Sequence, residues 1–281
     1  MTVLEVLTAA SGYLERNGIE SPRLNAEHLL AHVLGKKRLD LYMEFDRPLS
    51  DTERAPLREL IRDRGTGKPL QHLLGTAEFF GRSFLCDSRA LVPRPETEQL
   101  VELALRLLRA DGQTSPTVVD VGTGSGVIAI TVALELPGAE VTATDLSATA
   151  LTLARENAAR HPGAERIVFE NADLLPTGSS RFHLIAANLP YLPADTLPAL
   201  QREVQFDPVS ALDGGPDGLD PIRALIRTAP ARLNPGGRIV LEIGHDQAGA
   251  VEGLLQENNF RDITPHPDYQ GIQRFVAAAY G

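Results

Sequence analysis

At 281 residues, with 43% hydrophobic and 23% charged residues, the chain has the composition of an ordinary soluble globular protein and room for one large domain or two smaller ones. A net charge of −10 argues against a nucleic-acid binder, and no run approaches the ~20 apolar residues of a membrane span. The single cysteine, Cys86, excludes an intrachain disulfide and reads as a small buried apolar residue; with Glu5 and no basic lead-in at the start to suggest a signal peptide, it points to a cytoplasmic protein.

Charge divides the chain. Residues 1–85 hold 12 Lys/Arg and 12 Asp/Glu, whereas residues 86–281 hold 15 and 25, which predicts two units with different jobs. Residues 1–70 read as a helical domain. Val3, Leu4, Val6, Leu7, Ala10 and Leu14 recur at helical spacing, Asn17-Gly18 is a stop and Ser21-Pro22 a restart. Asn25 to Leu34 forms a second amphipathic stretch, Leu39 to Phe45 a short third, and Ser50 to Arg64 a fourth. The last carries Arg54, Arg58, Arg62 and Arg64, with Lys68 just beyond. This is either a solvated face balanced by Glu53, Glu59 and Asp63 or a docking face for an acidic or RNA-bound partner.

Residues 71–92 change character. Glycines punctuate the stretch around Glu78-Phe79-Phe80 and Ser83-Phe84-Leu85, which predicts a β-hairpin linker. Residues 93–281 form the third region, opened by the stiff Leu91-Val92-Pro93-Arg94-Pro95-Glu96-Thr97-Glu98 segment and a helix from Glu98 to Arg109. Strands are expected at Thr117–Val121, Val141–Asp145, Ile167–Asn171, Phe182–Ala187, Arg238–Ile243 and Phe275–Ala279. Helices are expected at Val127–Leu136, Ala148–Arg160, Pro221–Leu233 and Gln247–Asn258, with a turn at Asn234-Pro235-Gly236-Gly237. Such alternation predicts an α/β fold, a doubly wound, mostly parallel sheet. His32 and His72 stand among apolar residues with no ligand-type neighbours at metal spacing, so both read as structural and no metal is expected.

The loop Asp120-Val121-Gly122-Thr123-Gly124-Ser125-Gly126 joins the first of these strands to its helix. Its G-x-G-x-G spacing matches neither a dinucleotide fingerprint nor a phosphate-cradling P-loop. Asp120 would repel phosphate and suit a cationic amino-acid end. Asp145, closing the next strand, suits ribose hydroxyls, and Asp173, followed by Leu174, suits an adenine amino group. A ligand with an ammonium and carboxylate, a ribose and an adenine but no phosphate is S-adenosylmethionine. Gly122, Thr123, Gly124, Ser125, Gly126, Asp145, Asp173, Leu174 and Asn188 are therefore the candidate cofactor residues.

The Phe182–Ala187 strand ends in Asn188-Leu189-Pro190-Tyr191. Asn188 offers one acceptor oxygen and two donor hydrogens. Pro190 stiffens the turn and biases Leu189 so that its carbonyl points outward, and Tyr191 adds an aromatic wall. The four together suit the grip of a planar amino group. His183, the only base near in sequence, sits too far up the strand and reads as structural.

These motifs carry a resemblance. Gly75-Thr76-Ala77-Glu78-Phe79, the Leu91–Glu98 segment, the Asp120–Gly126 loop, Asp145, Asn188-Leu189-Pro190-Tyr191 and Glu242-Ile243-Gly244 make the chain resemble, over nearly its full length, the release-factor glutamine methyltransferases of the PrmC/HemK type. The resemblance implies a class I S-adenosylmethionine-dependent methyltransferase with a seven-stranded sheet and a small N-terminal substrate-recognition domain. It implies a substrate, the glutamine of the Gly-Gly-Gln loop of peptide-chain release factors, methylated on its side-chain nitrogen. Asn188, Leu189, Pro190 and Tyr191 would match the family's substrate-binding and catalytic turn. That turn usually reads Asn-Pro-Pro-Tyr, so Leu189 is a departure that keeps the backbone carbonyl and loses one φ constraint. A monomer without a membrane partner or a stable nucleic-acid complex is expected. The rival readings are an adenine-N6 or cytosine-N4 DNA or RNA amino methyltransferase, which would use a similar turn on a flipped base, and a non-catalytic cofactor-binding assembly protein.

Overall fold

The computed structural model describes residues 1–281. By its internal packing the chain forms two units, Met1–Thr76 with Gln201–Phe206, and Ala77–Leu200 with Asp207–Gly281.

The first unit is helical. Helix α1 (Val3–Arg16) starts at a capping box in which Thr2 accepts from the Glu5 N–H and the Glu5 carboxylate accepts from the Thr2 N–H. Helix α2 (Pro22–Leu34) has Pro22 in its first turn and ends at the left-handed Gly35. Helix α3 (Asp51–Gly65) begins at a second capping box, Ser50 with Glu53, and α4 (Leu70–Leu74) is a single short turn. The expected third helix is a 3-10 segment, Arg38–Met43. Apolar positions three and four apart, among them Val3, Leu7, Leu14, Leu29, Leu30, Leu57 and Ile61, bury one common core. Arg54, Arg58 and Arg62 of α3 line one groove, and Arg64 does not share it. Arg64 is buried, donating to the Asn25 side chain at 2.7 Å and the Lys68 carbonyl at 3.0 Å and pairing with Glu203. Arg54 and Arg62 pair along the helix with Asp51 and Glu59. The segment Gln201–Phe206, far away in sequence, thus has a buried guanidinium as its anchor in this unit.

In the second unit, β1 (Thr76–Phe79) and β2 (Arg82–Leu85) form a hairpin whose turn residues, Phe80 and Gly81, both have positive φ, as a right-twisted two-residue turn requires. Helix α5 (Pro95–Ala110) follows, with Pro95 in its first turn. Then come β3 (Thr117–Val121), α6 (Val127–Glu135), β4 (Glu140–Asp145), α7 (Ala148–Arg160), β5 (Val168–Asn171), β6 (Phe182–Ala187), α8 (Asp220–Thr228), β7 (Leu233–Glu242), α9 (Ala248–Glu257), β8 (Phe260–Pro267) and β9 (Gln273–Tyr280). The seven strands from β3 on form one sheet in the order β5-β4-β3-β6-β7-β9-β8. Pairs among β3 to β7 are parallel, and β9 runs antiparallel to both β7 and β8. Apolar residues of α5 and α6 cover one face and those of α8 and α9 the other. Burial on both faces explains why β3 and β6 read as near-continuous apolar runs.

Three expectations are corrected here. The Asn234-Pro235-Gly236-Gly237 turn lies inside β7 as a bulge, between the pairs Phe182 with Leu233 and Leu184 with Arg238. The helix expected over Pro221–Leu233 stops at Thr228, and a 3-10 turn at Ala229–Ala231 holds Pro230, which lacks the N–H to continue it. Strand β8 was not expected. It is a mostly exposed edge strand with Pro265 and Pro267, so neither alternation nor burial marks it in the sequence.

Candidate active site

A cavity of about 330 Å³ opens at the carboxyl ends of β3, β4 and β6 in the second unit, where strand order reverses. Four of the five expected loop residues, Gly122, Thr123, Gly124 and Ser125, line it. Gly126 does not. It caps α6 with φ 85°, and an added Cβ would stand 3.1 Å from the Ala154 Cβ and the Ile130 Cδ1, so it serves the close approach of two helices. Asp145, Asp173 and Leu174 line the cavity beside Leu146, Ile128 and Ala150. The Asp145 carboxylate accepts from the Gly124 N–H at 2.8 Å and the Ser147 N–H at 2.8 Å, which ties the glycine loop to the end of β4.

Asp120 does not face the cavity, contrary to the expectation that it would meet a cationic ligand. Side chains alternate along β3, so Asp120 shares the α6 face with Val118 while Val121 turns the other way. It is 0% exposed. Its Oδ2 accepts from the Thr123 hydroxyl at 2.6 Å and the Ala129 N–H at 3.1 Å, and its Oδ1 has no partner. Burial pushes its carboxyl up to about 7. It braces the loop from beneath.

Asn188, Leu189 and Pro190 line the cavity and Tyr191 does not. The Tyr191 ring packs against the α8–α9 core, and burial pushes its phenol up to about 12. Gln247 holds its backbone. The Gln247 amide donates to the carbonyls of Tyr191 at 2.9 Å and Gly218 at 3.3 Å, while its own oxygen accepts from the Gly244 N–H at 2.8 Å. Leu189 is 5% exposed, its Cδ2 against Gly122, where an added Cβ would come within 3.0 Å. His183 lies at the far end of β6 and contacts the Thr117 N–H and hydroxyl, a structural role as expected.

Behind Asn188 stands a pair that sequence reasoning did not place in the site. The Asn188 Nδ2 donates to the Thr97 hydroxyl at 3.0 Å, and that hydroxyl donates to the Glu242 Oε2 at 2.9 Å. Thr97 is 4% exposed and Glu242 2%. Burial pushes the Glu242 carboxyl up to about 7, against the pull of Thr97, Arg274 and the Asn188 side chain, which also bonds it. Pro93, Arg94 and Thr97 also line the cavity. Asp207, with a fully buried side chain, accepts from the Val92 N–H at 3.1 Å and the Arg94 guanidinium at 2.7 Å. The stiff Pro-Arg-Pro-Glu-Thr-Glu segment was visible in the sequence; its place against the end of β6 was not, because nothing local links residues so far apart.

The donor set fits S-adenosylmethionine. Carboxylates stand at the ends of two adjacent strands, the glycine loop after β3 has no lysine for phosphate, and Leu146, Leu174 and Ile128 give apolar walls. Fold and cavity together define a class I S-adenosylmethionine-dependent methyltransferase. A methyltransferase from Pyrococcus furiosus shares the fold, with a TM-score of 0.55 at 19% identity over 72% of this chain and 91% of that one. Residues 5–75 match the model of the PrmC N-terminal domain, and residues 97–204 match that of the ribosomal protein L11 methyltransferase. The release factor glutamine methyltransferase of Geobacter sulfurreducens is 43% identical over 100% of this chain and 97% of its own. That of Chlorobaculum tepidum is 42% identical over 97% and 95%. The chain belongs to the release factor glutamine methyltransferase family.

Proposed function

We propose that this enzyme transfers the methyl group of S-adenosylmethionine to the side-chain nitrogen of the glutamine in the Gly-Gly-Gln loop of peptide-chain release factors, with Asn188 and the Leu189 carbonyl as the groups that hold that nitrogen. The observation that carries the assignment is the placing of Asn188 at the cavity edge with its NH2 turned back to Thr97, which leaves Oδ1 as the acceptor for an incoming N–H. When bound, the cofactor supplies an electrophilic methyl on a sulfonium sulfur, which keeps the bonding pair as the new C–N bond forms. An amide nitrogen is a weak nucleophile because its lone pair is delocalised. Two acceptors on its N–H bonds would fix it in line with the methyl and stabilise the positive charge that develops there. A proton then leaves the alkylated nitrogen, and no strong base is needed in the pocket.

Asp145 and Asp173 are assigned to the ribose and adenine of the cofactor, and the Gly122–Ser125 loop to its amino-acid end. The helical first unit is assigned to recognition of the release factor. Both arginines at the cavity are held by carboxylates, Arg89 by Asp87 and Glu156 and Arg94 by Asp207, so no unpaired cation there invites a phosphate backbone. This favours a protein substrate over a nucleic acid. Incubation with a release factor and cofactor, followed by mass spectrometry of the Gly-Gly-Gln peptide, should show one added methyl group on the glutamine. Methyl transfer to DNA or RNA and none to the peptide would overturn the reading. Asn188→Ala should lower turnover ~10²–10³-fold with little change in cofactor affinity, as loss of a preorganised group at developing charge does.

A further inference from the structure

An asparagine side chain is nearly symmetric in shape, and only its hydrogen-bond partners decide which end faces the substrate. For a primary amide substrate the choice is decisive, because the substrate nitrogen brings N–H bonds and needs an acceptor. We propose that Thr97 and Glu242 are positioning residues that set the polarity of Asn188, an ionised Glu242 committing the Thr97 proton to itself so that Asn188 must turn its NH2 inward and its oxygen toward the substrate. This rests on the proposed role of Asn188 in glutamine methylation.

An ionised Glu242 receives donors only, the Thr97 hydroxyl and, directly, the Asn188 side chain, and both contacts turn the Asn188 NH2 inward. A carboxylate without a proton only accepts, so the 2.9 Å contact from the Thr97 hydroxyl uses that hydroxyl's single hydrogen. Toward Asn188 the same oxygen can then only accept, and the 3.0 Å contact must come from Nδ2. Glu242 does not line the cavity and both residues are nearly closed to solvent, which shelters the bond between them. Protonation of Glu242 removes the constraint. The acid hydrogen can go to Thr97, Thr97 can donate to the Asn188 oxygen, and the NH2 then faces an N–H of the substrate. The charged groups acting on Glu242 are Glu96 on α5, which favours its protonation, and Arg274 on β9, which opposes it. The Tyr191 phenol, beyond β6, stays neutral. Burial holds the Glu242 carboxyl near 7, inside the range where the enzyme can be assayed.

The test measures methyl transfer to a release factor between about pH 5.5 and 9 for the full chain. Wild type should gain turnover as pH rises through an ionisation near 7, the position to which burial moves Glu242. Glu242→Gln should fall about tenfold at high pH and lose that ionisation, with unchanged KM for S-adenosylmethionine. Asn188→Asp should be poorly active, because a second carboxylate then faces a hydroxyl whose proton is already committed. The double variant N188D/E242Q should recover at least about tenfold over N188D, since the amide introduced by E242Q can donate to Thr97 and Thr97 to the carboxylate introduced by N188D. Should Glu242→Gln not fold, Thr97→Ser is expected to keep the ionisation and Thr97→Val to abolish it. An active wild type whose pH profile survives both Glu242→Gln and Thr97→Val, or a double variant no better than N188D, would overturn the inference alone. A wild type that leaves the glutamine unmethylated overturns the proposed function, and the inference with it.

Discussion

Asp120 is a carboxyl group that the fold holds against its own ionisation. It is 0% exposed, its Oδ1 has no partner, and burial moves it from its ordinary value of 3.8 up to about 7. A carboxyl raised on folding contributes fully to stability below its unfolded pKa, and this contribution is lost as pH rises through the folded one. Here the window runs from about 4 to about 7. Asp120→Asn removes the titration and keeps one oxygen to accept from Thr123 and Ala129. Its new NH2 replaces the unpartnered Oδ1 and costs about 1–3 kcal/mol at any pH. Relative to that constant, the wild type should lose roughly 2–3 kcal/mol between about pH 5 and pH 8, from about 1.4 kcal/mol per unit of the part of the shift titrated there. The chain has no tryptophan, so urea unfolding is best followed by far-UV circular dichroism, with wild type and variant compared at each pH. The stability difference should move in the variant's favour as pH rises. A difference that stays constant across that range would refute the claim that Asp120 is buried as an acid.

Three further outcomes are expected. Asp145→Ala should weaken S-adenosylmethionine binding by about 1.5–3 kcal/mol in calorimetry, the range for hydrogen bonds to a charged group; unchanged affinity in a folded variant would remove Asp145 from the ribose site. Gly218→Ala should lower both melting temperature and turnover, because its φ is 75° and the added Cβ would stand 2.3 Å from the Tyr191 carbonyl oxygen and 2.8 Å from the Gln247 Nε2; wild-type melting would mean that the Gln247 bridge can shift. Leu189→Pro, which restores the family's usual residue, should leave steady-state turnover within about tenfold, since the carbonyl is kept and only φ is restrained; a far larger loss would mean that the Leu189 side chain itself shapes the site.

Much of this architecture was legible because local rules agree with the global fold. Thr117–Val121, Ala148–Arg160 and Phe182–Ala187 match their elements residue for residue, since apolar runs, caps and breakers all point one way there. Strand β8 was not legible, because an exposed edge has no buried face to impose a pattern. The bulge in β7 was read as a turn because Asn-Pro-Gly-Gly is turn chemistry, and only pairing with β6 on either side keeps it in the sheet. In the site, residues that face a ligand followed from strand ends and loop composition. Those that act from behind, Thr97, Asp207, Glu242 and Gln247, did not. Their partners are set by tertiary contacts between residues far apart in the chain, as in the Thr97 bond to Glu242, 145 residues away, and the Asp207 bond to Val92, 115 residues away.

Two of the buried carboxyls, Asp120 and Glu242, are held near 7 and differ in what they do. Both carry burial costs that an apolar residue would avoid. Asp120 is bound to a backbone N–H and a hydroxyl and shapes a loop, so a neutral acid or amide could take its place. Glu242 is different, because what reaches the cavity from it is a direction: hydroxyl to carboxylate, amide to hydroxyl, and an oxygen left outward. A neutral group can hold the same atoms at the same distances and still allow either direction. The destabilising charge at Glu242 is therefore the feature that a stability optimum would remove and an amide methyltransferase would keep. Replacement of either carboxyl should move the stability difference in the variant's favour as pH rises, and only at Glu242 should that shift come with a loss of turnover.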